Sequence, residues 1–157
     1  MNQESGTAGS TKQIGELLIQ EELITSRMLD QALKLQQQHY EPLGNLCVKQ
    51  GYISEDDLNA VLAKQFGIIY LNPRGFTLPD KKLLELVPES TAREFICFPI
   101  EKRLDKLTIA MADPWNTEAI NALKLKTSLT IQPRFSRKEW IDQIIDEQYA
   151  EYYRTLQ

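Results

Sequence analysis

Apolar positions fall into the same rhythm twice along the first 65 residues. Ile14, Leu17 and Leu18 lie at i, i+3, i+4, the spacing of one face of a short helix. Beyond Glu21-Glu22 a second stripe places Leu29, Leu33 and Gln36 at i, i+4, i+7. The whole pattern then returns with a constant offset of 29 and no gap. Leu18-Ile19 recurs as Cys47-Val48, Leu23-Ile24 as Tyr52-Ile53, Leu29 as Leu58, Leu33 as Leu62 and Gln36 as Gln65. Internal repetition of this kind sets the architecture, and two copies are too few for a solenoid. They predict a pair of equivalent helical hairpins whose apolar stripes pack together.

Polar residues punctuate each copy. Glu22 and Gly51 stand where the first helix must end, a position that suits glycine because it takes positive φ cheaply. Thr25 and Ser54 are placed as N-caps of the second helix, and Ser54-Glu55-Asp56-Asp57 has capping-box spacing with Asp in the fourth place. Each apolar stripe finishes in a glutamine 21 residues after a glycine, Gly15 to Gln36 and Gly44 to Gln65. Two readings of these glycines stand side by side. A glycine at a helix start lets backbone approach a ligand, with free N–H groups that favour anions. The same glycine also permits close helix–helix approach.

From Phe66 the rhythm changes. Ile68-Ile69-Tyr70-Leu71 is a short β-type run closed by the turn cluster Asn72-Pro73-Arg74-Gly75. Helices are expected from about Asp80 to Leu86 and again with Pro88 in the first turn. Strands are expected over 95–100 and 107–111, on either side of a polar turn at 101–106, and Asp113-Pro114 ends the second. Asn116 or Thr117 caps a helix carrying Ala119, Ile120, Leu123 and Leu125. Residues 129–135 form a further strand, in which Pro133 marks an edge or an end. Ser136 caps a last helix with Trp140, Ile141, Ile144, Ile145 and Gln148 at helical spacing, closed by Tyr149, Tyr152 and Tyr153. The expected fold class is α+β. A pair of repeated helical hairpins over 12–66 precedes a small α/β subdomain over 67–157, and residues 1–11 are read as a disordered leader without signal-peptide character.

Composition narrows the function. A formal net charge of -4 argues against non-specific binding to nucleic acid or to an anionic membrane. No apolar run is long enough for direct membrane insertion. Cys47 and Cys97 both sit in apolar runs, as buried thiols in a reducing compartment would. His39 is the only histidine and reads as a loop residue, so no metal site is expected. The sequence has no Gly-x4-Gly-Lys phosphate loop, nucleophile elbow, Cys-x-x-Cys or His-Glu-x-x-His. Asp113 fits a strand-ending Asp-Pro turn. The chain is therefore read as a non-catalytic protein with no resident cofactor.

The doubled Gly-x-x-(apolar)-(apolar)…Gln motif resembles the MshEN domain, the N-terminal domain of type II secretion and type IV pilus ATPases of the GspE/MshE kind. Leu86-Val87-Pro88-Glu89, Phe98-Pro99-Ile100 and Ile109-Ala110-Met111-Ala112-Asp113-Pro114 resemble the second half of the same domain. The resemblance covers about residues 12 to 153. It implies a cyclic di-GMP site built from Ile14, Gly15, Leu29, Leu33, Gln36, Leu43, Gly44, Leu58, Leu62 and Gln65. The motif's arginine is Gln13 in the first copy and Pro42 in the second, and its second glycine is Glu22 in the first. Weak binding of cyclic di-GMP is the expectation that follows, with Lys12 a partial substitute for the first arginine. The alternative is a domain that binds no nucleotide and only docks to a secretion, pilus or glycosyltransferase partner. Either role implies a cytoplasmic protein, held near the inner membrane through its ATPase machinery or another membrane-associated effector.

Overall fold

In the computed structural model, which describes residues 14–157, the 29-residue repeat becomes two helical hairpins built with the same joints. The leader expected over 1–11, together with Lys12 and Gln13, lies outside the described residues. Helix α1 covers residues 14–20 and α2 covers Ser26–Gln38; their counterparts are α3, Leu43–Lys49, and α4, Glu55–Gln65. Helix α1 ends as the Leu23 N–H reaches the Leu18 carbonyl at 2.9 Å and the Glu22 N–H reaches Ile19 at 2.9 Å. Helix α3 ends identically, with Tyr52 to Cys47 at 2.9 Å and Gly51 to Val48 at 3.0 Å. These are the two bonds of a Schellman motif, which needs a left-handed residue at its centre. Gly51 supplies it at φ 76°, and Glu22 supplies it at φ 59° despite its side chain.

The second helices begin as their caps predict. Thr25 Oγ1 accepts from the Met28 N–H at 3.2 Å. Ser54 Oγ accepts from the Asp57 N–H at 3.0 Å while Asp57 Oδ2 accepts from the Ser54 N–H at 3.2 Å, completing the capping box. The stripes meet in one core of Ile14, Leu18, Ile24, Ala32, Leu43, Cys47, Ile53, Leu58 and Val61. Ala32 and Val61, both buried, occupy equivalent places in the two copies. Helix α2 runs on through Gln38, so the polar link expected from Gln36 is shorter, beginning at His39.

The described residues form two compact units, 14–66 and Gly67–Gln157. The second unit holds a three-stranded sheet of order β1-β2-β3, with β1 at Cys97–Arg103, β2 at Lys106–Met111 and β3 at Thr130–Phe135. The first pair is antiparallel; β2 and β3 are parallel, joined through α7, Thr117–Thr127. Helix α5 (Leu83–Leu86), α6 (Glu89–Phe95) and α8 (Lys138–Thr155) complete the unit. Its core gathers Leu84, Val87, Phe98, Leu107, Ile109, Met111, Leu123, Ile141 and Ile145. The mixture of helices with a small sheet is α+β.

Several local expectations are corrected. Ile68–Leu71 makes one parallel bridge, Tyr70 to Phe135, because Asn72 turns the chain at once by accepting from the Arg74 N–H at 2.9 Å. The helix expected from Asp80 starts only at Leu83; the Asp80 carboxylate accepts from the Lys82 N–H at 2.9 Å and spends those residues on a turn. Pro88 is the N-cap of α6 and lies outside its first turn, and Phe95 belongs to that helix. Ile96, at φ 48°, swings the chain into β1. The polar run Glu101–Arg103 is strand, since its backbone pairs with β2 across Thr108, Leu107 and Lys106; only 104–105 turn. Asn116 caps α7 by accepting from the Ala119 N–H at 3.1 Å, while Leu125 points to solvent. Ser136 is buried and donates to the Leu71 carbonyl at 3.1 Å, so Arg137 is left as the N-cap of α8. Pro133 does lie on an edge strand.

Candidate functional site

Each motif glycine faces one leucine. A Cβ built on Gly44 would come within 2.5 Å of Leu58 Cδ1 and 3.2 Å of Cδ2; on Gly15 it would come within 2.8 Å of Leu29 Cδ1. The two pairs are repeat-equivalent, 14 residues apart in each copy. Of the two uses open to these glycines, close helix approach is the one occupied: each is a slot that admits a leucine from the next helix. Leu43 also reaches the Gly15 slot, its Cδ2 3.4 Å from that Cβ position, and so ties the second copy to the first.

A recess of about 170 Å³ opens beside the second slot, lined by Ile14, Pro42, Leu43, Gly44, Asn45, Leu58 and Leu62. It gathers five of the ten expected site residues: Ile14, Leu43, Gly44, Leu58 and Leu62. Gly15, Leu29, Leu33, Gln36 and Gln65 do not line it. Leu29 and Leu33 pack half-buried against the helical core. Gln36 spends its amide on the link after α2, donating to the Glu41 carbonyl at 3.2 Å. Gln65, half-buried, is the last residue of α4. Asn45 is a lining residue that repeat reasoning passes over, because it sits between two motif positions with no apolar periodicity to mark it.

The recess is electrically plain. None of the seven described residues that line it is charged, and Pro42 gives α3 no side-chain cap. The adjacent Glu41 carboxylate is held by Lys49. Burial pushes the Cys47 thiol up, and pushes Cys97 up to about 12, so both stay protonated at neutral pH. Among the described residues no group of three or more His, Cys, Asp or Glu is placed to hold a metal ion. No helix of the described residues is long and apolar enough to cross a membrane.

The model of the MshEN domain matches residues 66–151, more than half of the chain. The chain belongs to the MshEN domain family. That match lies on the α/β unit, downstream of the doubled motif. Longer similarities take in the helical repeats as well. The type IV pilus assembly ATPase PilB of Myxococcus xanthus is 34% identical over 145 residues, 92% of this chain but 25% of PilB. Bacteriophage adsorption protein B of Escherichia coli is 26% identical over 128 residues, 82% of this chain and 17% of that protein. This MshEN domain thus spans a quarter or less of these relatives' lengths. Among solved structures, MshE with cdg (cyclic di-GMP) superposes at a TM-score of 0.57 with 27% identity, covering 87% of this chain and 98% of that one.

Proposed function

We propose that this MshEN domain is a non-catalytic regulatory module that binds cyclic di-GMP weakly through its helical repeats and reports to a larger pilus- or secretion-type machine. The observation that carries the reading is the recess beside Gly44, where residues from the second copy and Ile14 from the first meet on one surface. The chain's likeness to MshE with cdg supports the ligand class, and its likeness to PilB supports the kind of machine. The recess is smaller than the roughly 300–1,000 Å³ of ordinary small-molecule sites, so it would seat one edge of the ligand. Among the described residues no cation lines the recess, so none of them gives the phosphates a charge-assisted bond there. Such a bond is worth roughly 1.5–3 kcal/mol, about ten- to a hundredfold in affinity.

A second reading is favoured by the filled slots. Leu29 and Leu58 already occupy the glycine notches, which suits a docking module that joins a motor, a glycosyltransferase or another membrane-associated effector without any nucleotide. Calorimetric titration with cyclic di-GMP separates the two. The sensor reading expects saturable, weak heats from the wild type, strengthened about ten- to a hundredfold by Pro42→Arg, which returns the motif cation to the recess mouth. No heat from the wild type, and none restored by Pro42→Arg or Gln13→Arg, leaves the docking role.

A further inference from the structure

The α/β unit carries a second and larger recess, of about 340 Å³, between α5, the start of α6 and the end of α8. Its floor is apolar, with buried Leu84 and Tyr149, whose hydroxyl is spent on the Val87 carbonyl, and Leu156 stands at the rim. Its walls are of another kind. Tyr152 and Tyr153 stand with ring centroids 5.7 Å apart, and Glu85 and Glu89 stand beside them. Tyr152 Oη donates to Glu85 Oε1 at 3.4 Å. Glu89 is engaged by Arg93, which also reaches Asp146 at 2.7 Å. Glu85 has no cation of this chain within ion-pair reach among the described residues.

Phenol rings attract cations through their negative faces, and a carboxylate beside them adds to the same field. An apolar floor suits the methylene stem of a long basic side chain, which buries its carbons and keeps its head at the polar rim. We infer that this recess is a docking site for a basic segment of a partner polypeptide, one arginine or lysine of which lies along the Leu84 and Tyr149 floor with its head between Glu85 and the two tyrosine rings. Charge complementarity selects the occupant: a neutral or acidic segment would leave Glu85 uncompensated. Burial first, and then Glu85 for Tyr152 and Glu89 for Tyr153, push both hydroxyls up, while Arg93 beside Tyr153 acts the other way. Tyr153 is 45% exposed, surface that such a segment would cover.

The test uses the whole 157-residue chain and two probes, argininamide and its neutral isostere citrullinamide, followed by the ring resonances of Tyr152 and Tyr153. Argininamide is expected to shift both saturably and citrullinamide to leave them in place. Glu85→Gln should weaken the response by about two- to fivefold, the range for an exposed ion pair. Tyr153→Ala, at an exposed position, should weaken it further with the fold unchanged. Equal shifts from both probes, or a response indifferent to Glu85→Gln, would overturn the inference. Concentration-dependent self-association abolished by Tyr153→Ala would overturn it too, since the occupant would then be a second copy.

Discussion

The two copies of the repeat close their first helices with the same pair of hydrogen bonds, one around Glu22 and the other around Gly51. They seat a leucine against a glycine in the same way, yet Leu58 is buried to 7% exposure while Leu29 is only half-buried. The backbone joints are therefore more uniform than the residues that make them. What each copy needs is a left-handed turn, a notch and a cap. The second copy makes all three with residues suited to them, glycine, a deep leucine and a reciprocal Ser–Asp box. The first copy makes them with a glutamate, a shallower leucine and a single threonine. The comparison predicts that the second hairpin is the more firmly held.

The sharpest way to break that comparison is to empty the notches. Leu58→Ala should cost about 2–4 kcal/mol and Leu29→Ala about 1–2 kcal/mol, since less of it leaves water on folding. In a Gly44→Ala background, Leu58→Ala should cost about 1 kcal/mol less, because the added methyl and the leucine compete for one space. Urea unfolding, read from midpoints at constant slope, measures both. Equal costs in the two copies would erase the distinction.

Caps give a smaller test. Ser54→Ala removes one side of a reciprocal pair and should cost about 1–1.5 kcal/mol, while Thr25→Ala, a single bond, should cost about 0.5–1 kcal/mol. A reversed order in thermal unfolding would mean that Asp57 contributes nothing to its cap. The smallest effect is a gain. Glu22→Gly relieves a left-handed strain of roughly 1–2 kcal/mol and gives part of it back as unfolded-chain freedom. A net stabilisation of about 0.5–1 kcal/mol is expected, and a destabilised variant would show that the Glu22 side chain makes contacts worth more than its strain.

The hairpins were legible because their signals are local. A cap serine and the N–H it holds are three residues apart, and the stripes that form the core sit one turn apart on a single helix. Misreadings follow wherever the partner is distant. Ser136 stands where a cap should be, but its hydroxyl finds Leu71, 65 residues away. Glu101–Arg103 has the composition of a turn and is strand only because β2 satisfies its backbone. The parallel pairing of β2 with β3 leaves no mark on either strand. At the recess, periodicity could list motif positions but could not say which glycine use prevailed, since that depends on how closely the helices cross. Nor could it show that the Gln36 amide is already engaged by Glu41.

The glycine–leucine notches also bear on the order in which the chain assembles. Each joins residues 14 apart, and loops of that size close on the order of 10–100 ns. The β2–β3 ladder must instead wait for α7 to form and cross, and non-local pairings of that kind lengthen folding times. Each hairpin thus has its glycine–leucine contact within reach as soon as its second helix leaves the ribosome. Gly44 and Leu58 can be locked together while the residues of the sheet are still being synthesised.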